Sequence, residues 1–266
     1  MNIGPLALST GVLALLFGVI AGLAATGFMT RHSHADATRA LYLVLGLGLL
    51  ISRAAYVAGW WPQYGQQPAS VLNIRDGGFD PIAGLIGLLV ASPLVGWRRS
   101  SLRRPLAVGV TTGVVAWAFA TLVAWQLTAA TRLSLPALTI GDLDGHEVAM
   151  ETLRGQPTVI NFWATWCGPC RSEMPMLMEA QRRLPHVRFV FADQGESAAT
   201  VRHFMQERGL VLDNVLIDDN LELSNYYHVR GYPTTLFLDA EGHLRDTHMG
   251  ELSRATLADR LQRISP

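Results

Sequence analysis

Long apolar stretches fill the first 130 residues of the chain, whereas the remaining residues alternate short apolar runs with polar ones. An α-helix crosses the ~30 Å hydrocarbon layer of a bilayer with about 20 apolar residues. The pattern therefore predicts an N-terminal α-helical transmembrane domain of four helices in residues 1–130, the third being the shortest. These helices are expected at about residues 3–30, 40–59, 81–97 and 106–130.

After a short linker at residues 131–136, the spacing of apolar positions changes to that of a soluble domain. The apolar, β-branched run Thr158–Trp163 predicts a buried strand, and a helix is expected from about Cys167 to Leu184. Further strands are predicted near 138–140, 147–150, 188–192, 215–217, 234–238 and 243–248, with helices at 198–208, 221–227 and after Ser253. Alternating strands and helices are typical of an α/β domain. We therefore expect residues 137–266 to form one such domain.

The distribution of charge supports this division of the chain. The formal net charge is zero, from 21 basic and 21 acidic residues, but the first 130 residues hold 8 arginines and 3 acids, and the rest hold 13 arginines and 18 acids. The first part is therefore poor in charge, as a membrane domain is. Neither part is polybasic, and no nucleic acid partner is expected.

Arginines are also distributed unevenly among the predicted loops of the membrane domain. The loop between the second and third helices carries one, Arg75. The loops after the first and third helices carry six: Arg31, Arg39, Arg98, Arg99, Arg103 and Arg104. Arginine-rich loops face the cytoplasm. With four spans, residues 131–266 then lie outside the cytoplasm. If the third helix does not span, they lie inside it.

The two cysteines of the chain stand in one Cys-x-x-Cys pair between the predicted strand and helix. Cys167 is placed at a helix N-terminus, where free N–H groups and the helix dipole favour a thiolate. Cys170, one turn later, is in position to resolve a mixed disulfide formed by Cys167. The alternatives are a structural disulfide and half of a metal site. A zinc site needs two more ligands at regular spacing, which the sequence lacks. We expect a redox-active disulfide and no metal or other cofactor.

The segment Trp163–Pro175 resembles the active-site segment of the TlpA-like (ResA/DsbE-type) membrane-anchored thioredoxins, a group that includes the cytochrome c maturation reductases. The predicted opening hairpin, an extra helix–strand unit at about 198–218 and the loop Gly231–Thr235 also match this family. The resemblance covers nearly all of residues 136–266. It implies a C-terminal α/β thioredoxin-like fold.

The resemblance also implies roles for residues around the cysteines. Glu173 matches an acidic residue near the pair and is expected to shuttle a proton to or from Cys170, the alternative being a solvated glutamate in a first helical turn. Asn161 occupies the position at which cytosolic thioredoxins carry a buried aspartate. Trp166, Gly168 and Pro169 are expected at the active-site surface.

A second part of the implied site is the loop before the strand at 234–238. Pro233 matches the proline whose peptide bond is cis in this fold and which faces the cysteine pair; an ordinary turn proline is the alternative. Tyr232 is expected to contact partner proteins, although a buried aromatic is an equal interpretation. Thr234 completes this loop.

The Gly-Pro pair between the cysteines resembles that of reducing thioredoxins, and it favours a reductase. Because residues 1–130 contain no cysteine, electrons must come from a separate membrane protein, of the DsbD/CcdA-like kind. The expected protein is thus a multi-pass protein of the bacterial inner membrane, embedded in the lipid bilayer, with its thioredoxin domain facing the periplasm. There it acts on extracytoplasmic protein thiols and disulfides. A disulfide-forming oxidase, a redox-sensing or copper-handling thiol module, and a lipid-handling membrane protein are the alternatives.

The membrane half carries a weaker resemblance over about residues 5–95. Ser52–Val57 and Asp76–Gly87 resemble the front of prolipoprotein diacylglyceryl transferase. That family has a His-Gly pair where Ile82 and Ala83 stand, so no transferase activity is expected. Arg53 is a charge inside a predicted span, expected to reach the outer interface or to pair with Asp76 or Asp80.

Overall fold

The computed structural model describes residues 10–31, 37–65, 68–97, 99–129 and 133–264. The first residues of the helix predicted at 3–30, Arg98 and the start of the predicted linker lie outside the described residues. The chain divides into two compact units. The first consists of Met1–Val71 and Gly78–Thr131, and the second of Leu72–Gly77 and Arg132–Pro266.

The first unit is helical throughout its regular structure. Its helices are α1 (Thr10–Thr30), α2 (Ala37–Gly59), α3 (Trp61–Tyr64), α4 (Pro81–Trp97) and α5 (Ser100–Ala129). Short 3₁₀ turns lie at Pro68–Leu72 and, within the second unit, at Ile74–Asp76. Three helices, α1, α2 and α5, are long and apolar enough to cross a membrane. The prediction of four spanning helices is therefore confirmed for three, because α4 forms at its predicted position but has only 17 residues.

The start of α5 differs from the prediction. The apolar run begins at about residue 106, but the helix begins at Ser100. Hydropathy marks the part of a helix that fits in a bilayer, whereas hydrogen bonding continues through polar residues that precede it. Pro105 lies near the start of α5, where its missing N–H costs one backbone hydrogen bond and does not end the helix.

Helices α1 and α5 meet through glycines. The sequence Gly18-x-x-x-Gly22 in α1 faces Gly109-x-x-x-Gly113 in α5. A Cβ atom added to Gly22 would lie 2.8 Å from the carbonyl oxygen of Gly109, and one added to Gly18 would lie 2.8 Å from that of Gly113. Glycines at this spacing let two helix backbones approach closely in a membrane, where van der Waals packing holds helices together.

Arg53 is buried near the end of α2 and donates hydrogen bonds to main-chain carbonyls. Its guanidinium reaches the carbonyl oxygens of Gly78 at 2.7 Å and Val71 at 2.9 Å, and the hydroxyl of Tyr64 at 3.2 Å. The carboxylate of Asp80 caps α4, accepting the N–H groups of residues 82 and 83. The proposed pairing of Arg53 with an aspartate stays a prediction.

The second unit is built on a mixed sheet flanked by helices. The strands are β1 (Thr139–Asp142), β2 (Glu147–Ala149), β3 (Thr158–Trp163), β4 (Arg188–Asp193), β5 (Val215–Ile217), β6 (Thr234–Leu238) and β7 (Leu244–Met249). The helices are α6 (Gly168–Arg183), α7 (Ala198–Arg208), α8 (Glu222–Tyr226) and α9 (Arg254–Leu261). The strand order is β2-β1-β5-β4-β3-β6-β7. The predicted α/β architecture of the C-terminal part is confirmed.

Strand β3 is the centre of this unit. All six of its residues are buried, and it pairs in parallel with β4 and antiparallel with β6. Its side chains alternate between two apolar clusters, so that Trp163 packs beneath α6 and Phe162 packs on the other face. A fully buried large apolar side chain stabilises a fold by about 1.5–3 kcal/mol. The core therefore fixes the strand end from which the cysteine segment emerges.

Candidate functional site

The two cysteines lie where β3 ends and α6 begins, and they are joined by a disulfide. Cys167 is the N-cap residue of α6, and its Sγ accepts the main-chain N–H of Cys170 at 3.2 Å. The two Cα atoms are 5.3 Å apart. Cys167 is 4% exposed and Cys170 is fully buried. An attacking thiolate therefore reaches Cys167, and Cys170 reacts only with Cys167.

The position of Cys167 at the start of α6 favours its thiolate form. The first N–H groups of a helix have no partner within the helix, and the positive end of the helix dipole lies there. The hydrogen bond from Cys170 shows one of these groups aimed at the sulfur of Cys167. Such a donor stabilises a thiolate more than a thiol. Gly168 and Pro169, both exposed, form the first helical residues and leave this sulfur uncovered.

Glu173 lies three residues after Cys170 on α6 and is buried. Its carboxylate accepts hydrogen bonds from Asn161 Nδ2 at 2.8 Å and from the N–H of Leu252 at 2.7 Å. Burial raises the pKa of Glu173 to about 8, although both hydrogen bonds act to lower it. The position is not that of a solvated glutamate, and its burial favours the protonated form.

Asn161 connects this carboxyl group to the sheet. It lies in β3, and its Nδ2 also donates to the hydroxyl of Thr235 in β6 at 3.0 Å. Its Oδ1 is buried without a hydrogen-bond partner among the described residues. An amide at this position donates to the Glu173 carboxylate, which an ionised aspartate could not do.

The loop before β6 lies next to the end of β3, since Thr234 pairs with Phe162. The peptide bond between Tyr232 and Pro233 is cis. The N–H of Gly250 donates to the carbonyl of Pro233 at 2.9 Å, and the hydroxyl of Thr234 donates to the carbonyl of Gly231 at 2.7 Å. These bonds hold the loop in one conformation.

An aromatic pair covers the edge of this loop. The rings of Trp166 and Tyr232 meet edge to face with centroids 6.2 Å apart. Trp166 is 64% exposed, and Tyr232 is half-buried. An exposed tryptophan next to a reactive cysteine offers apolar area to a docking protein. Burial raises the pKa of the Tyr232 hydroxyl, which therefore stays neutral.

Two carboxyl groups near the cysteines were missed by sequence reasoning. Glu196 accepts hydrogen bonds from both the N–H and the hydroxyl of Thr165, each at 2.6 Å. Asp193, fully buried at the end of β4, accepts the N–H of Glu196 at 2.8 Å. Because β3 and β4 are parallel, their carboxyl ends meet at one sheet edge, and an acid directly after a buried strand was the available signal.

One group of described side chains could hold a metal ion: Asp239, Glu241 and His243 in the β6–β7 turn. Asp239 already accepts a 2.6 Å hydrogen bond from Arg245. Leu238 pairs with Thr158 at the start of β3. This group therefore lies at the opposite end of β3 from Cys167 and takes no part in the site described above.

Known proteins are similar to this part of the chain. Residues 129–247, which include both cysteines and the Tyr232–Thr234 loop, match the AhpC/TSA family. The chain is 30% identical over 133 residues to the thiol-disulfide oxidoreductase ResA of Bacillus cereus, covering 49% of this chain and 76% of that protein. It is 32% identical over 130 residues to the thioredoxin-like protein YneN of Bacillus subtilis, covering 47% and 75%. A solved thiol:disulfide interchange protein from Chlorobium tepidum matches with 26% identity and a TM-score of 0.45, covering 50% of this chain and 96% of that one.

Proposed function

Because the chain belongs to the AhpC/TSA family, and within it to the thioredoxin-like thiol–disulfide oxidoreductases, we propose that it reduces disulfides of extracytoplasmic proteins through Cys167 and Cys170. The observation that carries the proposal is the inequality of the two sulfurs. One stands slightly exposed at a helix N-terminus and the other is fully buried one turn later. Such a pair separates the attacking thiol from the resolving thiol.

The reaction begins with the pair reduced. The Cys167 thiolate attacks one sulfur of a partner disulfide, forming a mixed disulfide and releasing the other partner sulfur as a thiolate, which takes up a proton. Cys170 then loses its proton and attacks the sulfur of Cys167. This attack releases the second sulfur of the partner as a thiolate, which takes up a proton. The partner has then gained two electrons and carries two thiols. The Cys167–Cys170 disulfide that results is the state seen in the structure.

Glu173 supports this sequence as the group that exchanges a proton with Cys170. It is on the same helix, three residues further on, and neighbours at this spacing share a helix face. Its pKa of about 8 is close to the ~8.5 of a free thiol. Proton transfer between groups of similar pKa has little thermodynamic cost in either direction, so one residue serves both oxidation and reduction.

Partner proteins are proposed to dock on the surface formed by Trp166 and the Tyr232–Thr234 loop. The aromatic pair supplies apolar contact area next to Cys167, while Pro233 and Thr234 present main chain along which an extended peptide can pair. Gly168 and Pro169 line the same approach without side chains long enough to block it.

The proposed direction and electron donor are supported by two features of the sequence. The Gly-Pro pair between the cysteines supports reduction, with a disulfide-forming oxidase as the alternative. Residues 1–130 lack cysteine, so the oxidised pair must be recharged by a separate membrane protein, of the DsbD/CcdA-like kind.

The site is proposed to face the periplasm from the bacterial inner membrane. Helix α4, with 17 residues, is at the lower end of the ~17–25 residues that cross a bilayer. If it spans, the arginine-rich loops lie on the cytoplasmic side and residues 133–264 lie on the other. A reporter that is active only in the cytoplasm, fused after residue 266, should be inactive; activity would contradict this orientation.

The function is tested by trapping with the full-length protein in living cells. The Cys170→Ser variant cannot resolve mixed disulfides, so partner proteins should accumulate covalently on Cys167. The matched Cys167→Ala variant should trap none. Purified full-length protein in detergent should also reduce insulin disulfides, with a midpoint potential toward the reducing end of the ~−270 to −120 mV range. A potential near the oxidising end would favour the oxidase, and tight copper binding without turnover would favour a metal-handling module.

A further inference from the structure

The turn that carries Cys167 is held by Glu196, which lies in the loop after β4. Glu196 accepts two hydrogen bonds from Thr165, one from the main chain and one from the hydroxyl, both at 2.6 Å. Thr165 is two residues before Cys167, and the N–H of Cys167 itself donates to the carbonyl of Ala164. Short bonds to a carboxylate are among the stronger hydrogen bonds in proteins. Glu196 thus fixes the chain between the end of β3 and the start of α6.

Glu196 is in turn held by Asp193. The Oδ1 atom of Asp193 accepts the N–H of Glu196 at 2.8 Å. The Oδ2 atom is buried and has no hydrogen-bond acceptor or donor assigned to it within the described ranges. A buried ionised oxygen without a partner is costly, whereas a protonated one needs only an acceptor. The neighbouring Glu196 carboxylate is such an acceptor.

We propose that Asp193 and Glu196 share one proton. Asp193 is then a positioning residue: through Glu196 and Thr165 it helps to fix the position of Cys167. With the proton in place, the Asp193 hydroxyl donates to Glu196, and the remaining lone pairs of Glu196 hold Thr165. When the proton leaves to water, Asp193 and Glu196 are both negatively charged. The two carboxylates then repel each other, and the hydrogen bonds from Thr165 to Glu196 weaken.

The electrostatics of the surroundings agree with this geometry. The pKa of Asp193 is raised to about 7, chiefly by burial, and the charge of the neighbouring Glu196 contributes to this rise. Two other groups face Asp193. Asp218, directly after β5, donates its N–H to the Asp193 carbonyl, and its carboxylate accepts hydrogen bonds from Leu223 and Ser224. Tyr232, from the loop before β6, is neutral because its pKa is raised.

The inference rests on the proposed function, since it concerns how the attacking cysteine is presented. It adds a pH-dependent element to that function. The turn that carries Cys167 should be held more firmly when Asp193 and Glu196 share a proton than when both are ionised. A negative charge added near a thiol also raises the pKa of that thiol. Above neutral pH, the reactivity of Cys167 should therefore rise less steeply than the reactivity of an isolated thiol.

The test compares two neutral replacements in the full-length protein in detergent. Asp193→Asn keeps an acceptor for the Glu196 N–H and offers an N–H to the Glu196 carboxylate, so it imitates the protonated residue. Glu196→Gln keeps an acceptor for Thr165 but removes the charge. Both are made in a Glu173→Gln background, which removes the buried carboxyl group of α6 whose pKa is also raised. Asp213→Asn, an exposed residue, is the matched control.

Two measurements are made on these variants. The rate of alkylation of reduced Cys167 by iodoacetamide, followed across neutral pH, should show a step near pH 7 in the background protein that is lost in both variants and kept in the control. Infrared difference spectra should show a protonated carboxyl band that titrates over the same range and is absent from Asp193→Asn.

An unchanged step and an unchanged infrared band in both neutral variants would overturn the proposal. If Asp193→Asn does not fold, Glu196→Gln alone decides, because its amide oxygen keeps one acceptor for Thr165 and its amide N–H can donate to the Thr165 hydroxyl oxygen. The infrared band does not depend on a partner protein. A failure of insulin reduction would therefore count against the proposed function and leave the shared proton to be judged separately.

Discussion

Asn161 donates a 2.8 Å hydrogen bond to Glu173, and this bond joins the strand that leads to the cysteines with the helix that carries them. Both side chains are buried. The Asn161 amide is a neutral donor, so it stabilises the Glu173 carboxylate without adding a charge. The environment of the Glu173 carboxyl group is therefore determined by contacts between β3 and α6.

Replacing Asn161 by aspartate should make the protein sensitive to alkaline pH. Two carboxyl groups would then share one buried site, and like charges at short range cannot both ionise without cost. The free energy of unfolding should fall by about 1–3 kcal/mol, and by more above pH 8 than at pH 6. Urea denaturation at the two pH values measures this. An equal loss at both would show that the amide matters only for packing.

Glu173→Gln should slow the resolution of mixed disulfides. Loss of a positioned acid–base group slows proton transfer on the order of 10²–10⁴-fold, and here the affected step is the attack of Cys170. Stopped-flow measurement with a disulfide substrate separates this step from the first attack by Cys167, which should change little. Glu207→Gln, an exposed residue on α7, is the control and should leave both steps as they are.

The stability of the redox unit should fall as the pH rises from about 6 to about 8. Glu173 and Asp193 have raised pKa values of about 8 and about 7, both chiefly through burial. The folded state therefore binds more protons than the unfolded state, whose carboxyl groups ionise near pH 4, and stability decreases with pH until both groups are ionised.

His248 does not contribute in that range. Burial and the charge of Arg260 lower its pKa to about 4. It gives stability that is gained as the pH rises from about 4 to about 6.5, and above that it is neutral in both states. Urea titrations at several pH values test the prediction. The double variant Glu173→Gln with Asp193→Asn should flatten the decline, and a decline of full size in that variant would contradict this account.

Trp166→Ala should impair the reduction of folded proteins and spare small disulfides. The side chain is 64% exposed, so its removal costs little stability, but it borders Cys167 and packs on Tyr232. Exposed aromatic anchors typically contribute 2 kcal/mol or more, about 30-fold in affinity, to protein interfaces. The ratio of kcat/KM for insulin to that for a small aromatic disulfide should fall. A parallel loss for both substrates would place the tryptophan in the chemistry.

Gly22→Ala should destabilise the helical unit, whereas Gly27→Ala in the same helix should not. A Cβ on Gly22 would lie 2.8 Å from the Gly109 carbonyl, but one on Gly27 meets nothing within 4 Å. Overpacking costs about 1–3 kcal/mol, while replacing an unrestricted glycine in a helix by alanine gains up to ~1 kcal/mol. Thermal denaturation in one detergent should separate the two variants. Equal midpoints would mean that α1 and α5 are not held by this contact.

The chemistry at the start of α6 was predictable because it is local in sequence. Cys167, Cys170 and the strand before them lie within the 13 residues of Thr158–Cys170, and this short segment predicts a helix start. The burial of Glu173 was not predictable in that way. A glutamate in a first turn is usually solvated, and here its environment is decided by Leu252, 79 residues away. Glu196 was missed for the same reason, since its partner Thr165 is separated from it by 31 residues.

In the membrane half, hydropathy predicted where the helices lie but not all of their ends or contacts. Hydropathy located α1, α2 and α5 but not the start of α5, because residues that lie before the apolar run still form helical hydrogen bonds. For α4, the 17 residues are few enough that composition does not decide whether it crosses. The glycine contact between α1 and α5 could be found only once the two helices were placed side by side.

That contact has a consequence for how the protein is made. Gly22 and Gly109 are about 90 residues apart in the chain, and a ribosome adds roughly 5–20 residues per second. The first helix therefore waits in the bilayer for on the order of 5–20 s before its partner is synthesised. During that interval the glycine face of α1 lacks the α5 backbone against which Gly18 and Gly22 pack in the finished structure. The helical bundle closes only as the last span enters the membrane, so the redox domain emerges from the ribosome onto an anchor that is just being completed.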